Sequence, residues 1–322
     1  MYLEHFQLKE EPFRLTPNPH YLYLSNKHAK AKTYLDFAIW NRDGFAVITG
    51  EIGSGKTTVL NKVLEDVDED VIVCKIHHTL LNEIELIKAV LLNLGIQMDG
   101  NDKVEMINVL TEFLLEQYLE GRRVLLVIDE AQNLSPKALE ELRLMSGLEY
   151  EYEKLINIIL VGQPELKILL ESKPLEQLTQ RIRLKFHLRS LTEEETVEYI
   201  HYRLETAGAA DTEIFPTELM PIIYRYTGGI PRLINILCDT ALIIAFAEGK
   251  TKIDREILKE AIKELQWVTY KRRKAKLRKP REEQRRKHET SPHLGKFDGL
   301  PLDIDLATIT EESGETSEEK PE

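Results

Sequence analysis

Runs of consecutive apolar residues alternate with helical repeats along the first half of the chain. Four runs, at residues 45–49, 70–76, 123–128 and 155–161, are short and nearly continuous, as in strands buried on both faces. Between them, apolar residues recur every three or four positions over residues 58–64, 80–94 and 104–119, the spacing of helices packed on one side. Alternating strands and helices predict an α/β domain with a parallel sheet.

The pattern changes after a last short strand predicted at residues 184–188. From residue 192 onward only helical spacing recurs, and the predicted helices begin at Thr192, Pro216, Pro231 and Asp254. We therefore place a domain boundary near Leu191. We expect four divisions: an N-terminal segment that packs on the α/β core (residues 1–40), the α/β domain (41–190), a helical domain (191–268) and a tail (269–322).

The first apolar run leads into a glycine-rich loop with the pattern Gly-x4-Gly-Lys-Thr. Glycine tolerates positive φ and lets backbone N–H groups wrap phosphates at the start of the next helix. Lys56 would reach the β- and γ-phosphates of ATP, and the Thr57 hydroxyl would ligate Mg²⁺. The pattern thus predicts a P-loop. Its expected nucleotide-binding residues are Gly50, Glu51, Ile52, Gly53, Ser54, Gly55, Lys56, Thr57 and Thr58.

Polar residues follow two of the later predicted strands. Asp129 and Glu130 come directly after the run at 123–128, at the edge where parallel sheets bind ligands. We expect Asp129 to hold Mg²⁺ and Glu130 to orient or deprotonate the attacking water. Gln163 follows the run at 155–161. It points toward the γ-phosphate or the water if its strand lies between the two nucleotide-binding strands, and otherwise it is only a polar residue at a helix start.

A second cation is expected at the nucleotide. The loop before the predicted helix at Pro231 places Arg232 in the first helical turn, where a positive charge opposes the helix dipole. A phosphate facing Arg232 would explain the arginine better. The N-terminal aromatic residues before Trp40 leave two possibilities open, because they could pack under the adenine or cap the edge of the sheet.

Composition limits the cellular setting. The chain has 322 residues, enough for about two domains, and 42% of them are hydrophobic, which excludes a wholly disordered protein. Cys74 and Cys238 both lie in apolar segments, so we expect no disulfide framework and a reducing compartment. No apolar run approaches the ~20 residues of a membrane span, and no signal-peptide pattern is present. We expect a cytoplasmic location, with a peripheral position at the inner membrane as an alternative.

Charge is unevenly distributed along the chain, whose net charge is −12. The segment from Lys271 to Lys287 is strongly basic, and Glu289 to Glu322 is acidic. The basic segment could bind DNA or an anionic membrane surface, or it could be a solvated linker partly neutralised by the acidic residues behind it. We expect the tail from His288 to be disordered.

In their order along the chain, these motifs resemble those of the AAA+ ATPases, and more narrowly the general secretion pathway protein A (ExeA-type) group. The resemblance covers about residues 1–267, including Pro12-Phe13 near the start, residues 129–134, and Gln180-Arg181-Ile182. It implies a three-layer P-loop NTPase domain with five parallel strands, followed by an all-helical lid. It also implies rings or helical filaments of about six subunits.

The same resemblance assigns roles to single residues. It implies a Walker A motif at residues 50–57, a Walker B motif at Asp129 and Glu130, and a sensor 1 role for Gln163. Arg181 would be an arginine finger, and Arg232 would be sensor 2. The expected catalytic residues are Lys56, Glu130, Gln163 and Arg181, and the expected metal ligands are Thr57 and Asp129.

Three functions fit these expectations. The first is an ATPase that remodels or assembles a protein client beside a secretion or pilus-type envelope system. The second is a DNA-associated AAA+ regulator of the transposition or replication-initiation type, using the basic segment. The third is a scaffold that oligomerises on ATP and hydrolyses it very slowly, which Glu130 argues against.

Overall fold

A parallel sheet of five strands forms the centre of the first domain. The computed structural model describes residues 2–41 and 44–275. The five strands are β1 (Phe45–Gly50), β2 (Val71–Ile76), β3 (Arg123–Ile128), β6 (Ile156–Gly162) and β7 (Ile182–Leu188). They pair in the order β2-β3-β6-β1-β7, all parallel. This arrangement confirms the predicted parallel α/β domain, and it places β6 between β3 and β1.

Both faces of the sheet are covered by helices, because successive strand residues point to opposite sides. Leu126, Ile158 and Leu160 pack into one apolar cluster, whereas their neighbours Val127 and Ile159 pack into another. The first face carries α4 (Glu83–Asn93), α5 (Lys103–Leu119), α6 (Pro136–Met145), α7 (Pro164–Leu170) and α8 (Glu176–Arg181). The second face carries α2 (Asn26–Trp40) and α3 (Lys56–Glu65). The domain therefore has three layers.

A helical domain follows the sheet. It consists of α9 (Glu193–Thr206), α10 (Met220–Thr227), α11 (Pro231–Ala247) and α12 (Arg255–Glu264). Thr192 caps α9 in a capping box with Glu195, as the sequence around Thr192 predicted. Its apolar side chains form a cluster separate from the two around the sheet. The position of the domain boundary near Leu191 stays a prediction.

The N-terminal segment packs differently from our expectation. Its second half, α2, lies on the sheet, but its first half does not. Phe6, Leu8, Phe13 and Tyr21, which follow the short helix α1 (Tyr2–His5), pack into the cluster of the helical domain. The segment is divided in this way because its apolar residues before Leu22 complete the core of α9, α10 and α11.

One buried cation fixes the start of the chain to the helical domain. Arg203 of α9 is only 7% exposed, and its guanidinium donates to the backbone carbonyls of Pro12 and Arg14, the latter at 3.3 Å. The guanidinium also lies 4.5 Å from the centre of the Tyr21 ring and donates to the Tyr199 hydroxyl. A buried charge is tolerated only when its donors are satisfied, so Arg203 specifies the path of residues 12–14.

Two features were not expected from the sequence. A two-stranded hairpin of β4 (Glu149–Tyr150) and β5 (Glu153–Lys154) precedes β6. Residues 270–275, which we placed in the tail, are helical, and the Arg273 guanidinium stacks on the Trp267 ring, 4.4 Å from its centre. Most of the basic segment and the whole acidic tail lie outside the described residues. In the part of the chain that the structure describes, no helix combines the length and apolarity that crossing a membrane requires.

Replacing Arg203 tests whether this cation holds the N-terminal segment in place. We expect Arg203→Met to lower the free energy of unfolding by about 2 to 3 kcal/mol, because buried carbonyls lose charged hydrogen-bond donors. Arg225→Met, on an exposed position of α10, is the matched control and should change stability by less than about 0.5 kcal/mol. Equal melting temperatures of the two variants in thermal unfolding would contradict this role.

Candidate active site

The loop between β1 and α3 has the backbone of a phosphate-binding loop. Gly53 and Gly55 adopt φ values of +78° and +98°, which strain any residue with a Cβ. A Cβ at Gly53 would lie 2.5 Å from the Cβ of Arg232, and one at Gly50 would lie 2.6 Å from the Leu188 carbonyl oxygen. Glycine is therefore required at these positions. The first N–H groups of α3 have no acceptor within the helix, so they are available to an anion.

Lys56 begins α3 and is 6% exposed. Its ammonium donates to the backbone carbonyls of Gly50, at 2.9 Å, and Glu51, at 3.1 Å. Burial lowers the pKa of Lys56 from its ordinary value, and the nearby carboxylates of Glu130 and Asp129 oppose that shift. The loop thus bends around a lysine that faces two acids. A phosphate chain could replace the two carbonyls as its acceptor.

Thr57, in the first turn of α3, lies beside Asp129, which directly follows β3. The Thr57 hydroxyl donates to Asp129 Oδ2 at 3.2 Å, and Asp129 is only 6% exposed. A hydroxyl and a carboxylate beside a phosphate-binding loop are the oxygen ligands that suit Mg²⁺. The residues present therefore fit the metal predicted for this site.

Glu130 is held by two amide side chains. The Gln132 and Gln163 amides both donate to Glu130 Oε2, at 2.6 and 2.9 Å. Gln132 also accepts from the Gln163 backbone N–H at 2.9 Å. Gln163 reaches Glu130 because β6 lies between β3 and β1. The predicted role of Gln163 depended on this strand order.

The backbone of Glu130 is strained. Its φ of +54° and ψ of +38° lie in the left-handed region, which costs a residue with a Cβ about 1 to 2 kcal/mol. Neighbouring groups hold this conformation, because the Glu130 N–H donates to Asp129 Oδ1 and the Thr79 hydroxyl donates to the Glu130 carbonyl, both at 3.0 Å. Strained backbone conformations of this kind are common at functional sites. At Glu130 the conformation sets the direction of the carboxylate.

Arg232 lies over the P-loop from the helical domain. Its backbone N–H donates to the Gly53 carbonyl at 3.2 Å, and its side chain covers the face that Gly53 leaves free. Arg232 and Lys56 line the same cavity as Glu130. The structure therefore brings the predicted sensor 2 residue to the predicted P-loop, across two domains.

The remaining predicted residues divide into two groups. Ile52, Thr57 and Thr58 line the cavity, whereas the Ser54 side chain is fully buried under the loop, so only its backbone could contact a nucleotide. Arg181 does not line the cavity. It is exposed at the end of α8 and donates to the Arg143 carbonyl at 2.8 Å and to the Ser146 hydroxyl at 3.2 Å.

The N-terminal aromatic residues do not share one position. Tyr34 of α2 packs edge-on against Phe186 of the edge strand β7, with 5.4 Å between ring centres, as the sheet-edge alternative expects. Residues 14–18 line the cavity, but the aromatic residue that lines it in the described chain is Tyr199 of α9. Phe13 and Tyr21 are instead buried in the helical domain.

Sequence reasoning also missed two residues. Gln132 holds Glu130, and its amide two positions after Glu130 was a signal for this role. Asn235 of α11 lines the cavity.

Known proteins with a similar sequence or fold agree with this geometry. Residues 40–170 match the sequence profile of the AAA domain family. Over 254 residues the chain is 38% identical to general secretion pathway protein A of Aeromonas hydrophila. This match covers 79% of the chain and 46% of that relative, so the chain spans less than half of the relative's length.

Two solved structures have a similar fold. The ORC2 protein of Aeropyrum pernix in ADPNP–ADP complexes has a TM-score of 0.60 at 20% identity, covering 80% of this chain and 72% of that one. Cdc6p from Pyrobaculum aerophilum has a TM-score of 0.61 at 21% identity, covering 81% and 70%. These likenesses concern the fold alone. They confirm the predicted three-layer P-loop domain followed by a helical lid.

The strain at Glu130 can be measured by comparing two replacements. Glu130→Gly and Glu130→Ala both remove the carboxylate, but only alanine keeps a Cβ in the left-handed conformation. We expect the glycine variant to be more stable by about 1 kcal/mol in denaturant unfolding. Glu112, exposed in the middle of α5, gives the reverse control, since alanine should be favoured there by about 1 kcal/mol. If the Glu130→Gly variant were no more stable than the Glu130→Ala variant, the backbone at this position would be unstrained.

Proposed function

We propose that the chain binds and hydrolyses ATP, from the premise that residues 40–170 match the AAA domain family and that the fold is shared with the ORC2 and Cdc6p proteins. One observation carries the proposal: Lys56, Glu130 and Arg232, from three separate parts of the chain, line one cavity. Lys56 suits the binding of a phosphate chain, and Glu130 suits the activation of water. Arg232 brings the helical domain to the same ligand.

Binding would use the P-loop and the lid together. The N–H groups at the start of α3 and the Lys56 ammonium would contact the phosphates. Arg232 would add a positive charge from α11, whose backbone is already hydrogen-bonded to Gly53. Because Arg232 belongs to the lid, its contact would make the position of the lid depend on the nucleotide.

Thr57 and Asp129 would hold Mg²⁺, which neutralises charge on the phosphates during transfer. The hydrogen bond between the two side chains supports this assignment, because it places both oxygens at one point. The Asp129 carboxylate also acts on the neighbouring Lys56, because it raises the pKa of that lysine against the effect of burial. Lys56 and Asp129 would therefore face the same ligand.

Hydrolysis would depend on Glu130. Its carboxylate would accept a proton from water as the water attacks the terminal phosphate. The amides of Gln132 and Gln163 support this role because both donate to Glu130 Oε2 and so orient the carboxylate. Gln163 would thereby act as sensor 1, linking the end of β6 to the general base.

Two substitutions separate binding from hydrolysis. Lys56→Ala should abolish ATP binding in calorimetry, because it removes the charge that faces the phosphates. Glu130→Gln should retain ATP binding and lose most turnover, since it keeps the shape of the side chain and removes the base. Unchanged ATP binding by Lys56→Ala would exclude the P-loop role. Normal turnover by Glu130→Gln would exclude this general base.

Arg181 would act on the ATP of a neighbouring subunit. It is exposed and outside its own cavity, and its guanidinium is tethered to the end of α6 by the Arg143 carbonyl and the Ser146 hydroxyl. A tethered guanidinium at the surface suits an arginine finger supplied in trans. This role requires self-assembly into a ring or filament.

Mixing inactive variants tests the shared site. Arg181→Ala should bind ATP nearly normally and hydrolyse it about 10³-fold more slowly or worse. Lys56→Ala subunits still offer Arg181, so mixing them with Arg181→Ala subunits should restore part of the activity. Lys173→Ala, at an exposed position shortly before α8, is the control and should leave turnover unchanged. Full activity of Arg181→Ala alone, or no recovery in mixed oligomers, would argue against the finger.

The cellular role that we propose is the remodelling or assembly of a partner complex in a secretion or pilus-type system. The identity to general secretion pathway protein A supports it over most of this chain. Glu130→Gln, which should bind ATP without hydrolysing it, offers a means of capturing the partner. Proteins retained by that variant with ATP, and not by Lys56→Ala, would identify the client.

A further inference from the structure

A histidine lies beneath the P-loop. His28, in the first turn of α2, is 3% exposed, and its Nε2 lies 3.1 Å from the backbone carbonyl oxygen of Ser54. Its Nδ1 lies 2.7 Å from the hydroxyl of Ser25, the N-cap residue of α2. His28 therefore joins the start of one helix to the centre of the phosphate-binding loop.

The hydrogen bonds determine which nitrogen carries the proton. A carbonyl oxygen can only accept, so the hydrogen must be on Nε2, and Nδ1 accepts from the Ser25 hydroxyl. Burial holds the pKa of His28 below its ordinary value, which keeps the ring neutral and leaves one N–H to donate. In this tautomer the single donor of the ring points at Ser54.

The orientation of one peptide group follows from this bond. In a trans peptide the carbonyl oxygen and the next N–H point in opposite directions. If His28 draws the Ser54 carbonyl toward α2, the Gly55 N–H must point away from α2, to the face of the loop where phosphates bind. Gly55, at φ +98°, also leaves room for the ring, because a Cβ there would lie 3.1 Å from His28 Nε2.

The helix that carries His28 is fixed to the sheet. Leu35, Ala38 and Ile39 of α2 pack on β1 and α3, and the Asn157 amide of β6 contacts the Ala38 and Ile39 carbonyls at 3.4 and 3.3 Å. The donor of His28 is thus held by a rigid support. The Ser54 hydroxyl has no hydrogen-bond partner among the described residues, so it does not compete with the Ser54 carbonyl for the His28 donor.

We propose that His28 is a positioning residue for nucleotide binding: its Nε2–H holds the Ser54 carbonyl and so directs the Gly55 N–H toward the phosphates. The inference rests on the proposed binding of ATP at the P-loop. It goes beyond it by placing a determinant of affinity in α2, outside the Gly-x4-Gly-Lys-Thr pattern.

Side chains of different reach provide the test. The amide nitrogen of glutamine can occupy the place of Nε2, whereas that of asparagine ends near Nδ1 and cannot reach Ser54. Leucine fills the volume without any donor. The dissociation constant of ATP with Mg²⁺ is measured for wild type, His28→Gln, His28→Asn, His28→Leu and Lys56→Ala, and the melting temperature of each protein is measured without nucleotide.

We expect His28→Leu and His28→Asn to bind ATP about tenfold more weakly, since the buried carbonyl loses its donor, and His28→Gln to bind like wild type. A residue that only fills the core would instead give affinities that do not distinguish asparagine from glutamine. If His28→Leu fails to fold, the asparagine and glutamine variants decide alone. Wild-type affinity in folded His28→Asn overturns the inference. Absence of ATP binding by wild type overturns the proposed function itself.

Discussion

The parallel pairing of β3, β6 and β1 is the constraint on which the rest of the site depends. Parallel strands end at the same edge of a sheet, so the polar residues that follow three separate strands must meet there. The P-loop follows β1, the acids follow β3, and Gln163 follows β6. Hydrogen bonds from Thr57 to Asp129 and from Gln163 to Glu130 then join the three strand ends. No long-range charge attraction is needed to assemble this half of the site.

The other half comes from elements outside the sheet, and it is assembled by polar contacts to the backbone. Arg203 fixes residues 12–14 to α9, and these residues continue into the stretch that lines the cavity. Arg232 reaches the P-loop through a backbone hydrogen bond to Gly53. Both contacts end on backbone carbonyl oxygens, although Arg203 uses its side chain and Arg232 uses its backbone N–H. The lid and the N-terminal segment thus approach the nucleotide site as one packed unit, with a core of its own.

Much of the sheet and of the P-loop could be predicted from the sequence, because each rests on local signals. Buried strands appear as continuous apolar runs, and the glycines of the P-loop stand at fixed spacing from Lys56. The partners of Glu130 and Ser54 could not be predicted in the same way. The contact of Gln163 with Glu130 depends on strand order, and that of His28 with Ser54 depends on how α2 packs. The destination of Phe13 was also missed, because its apolar character suits either core equally well.

The division of the N-terminal segment has a consequence for any attempt to separate the domains. Phe6, Leu8 and Phe13 belong to the core of the helical domain, yet α9 begins about 180 residues later in the sequence. A fragment beginning at residue 41, or one ending at residue 190, would strip apolar partners from the surfaces they leave behind. Such fragments would be prone to aggregation and to protease cleavage. A boundary that looks clean along the sequence would therefore cut through a hydrophobic core.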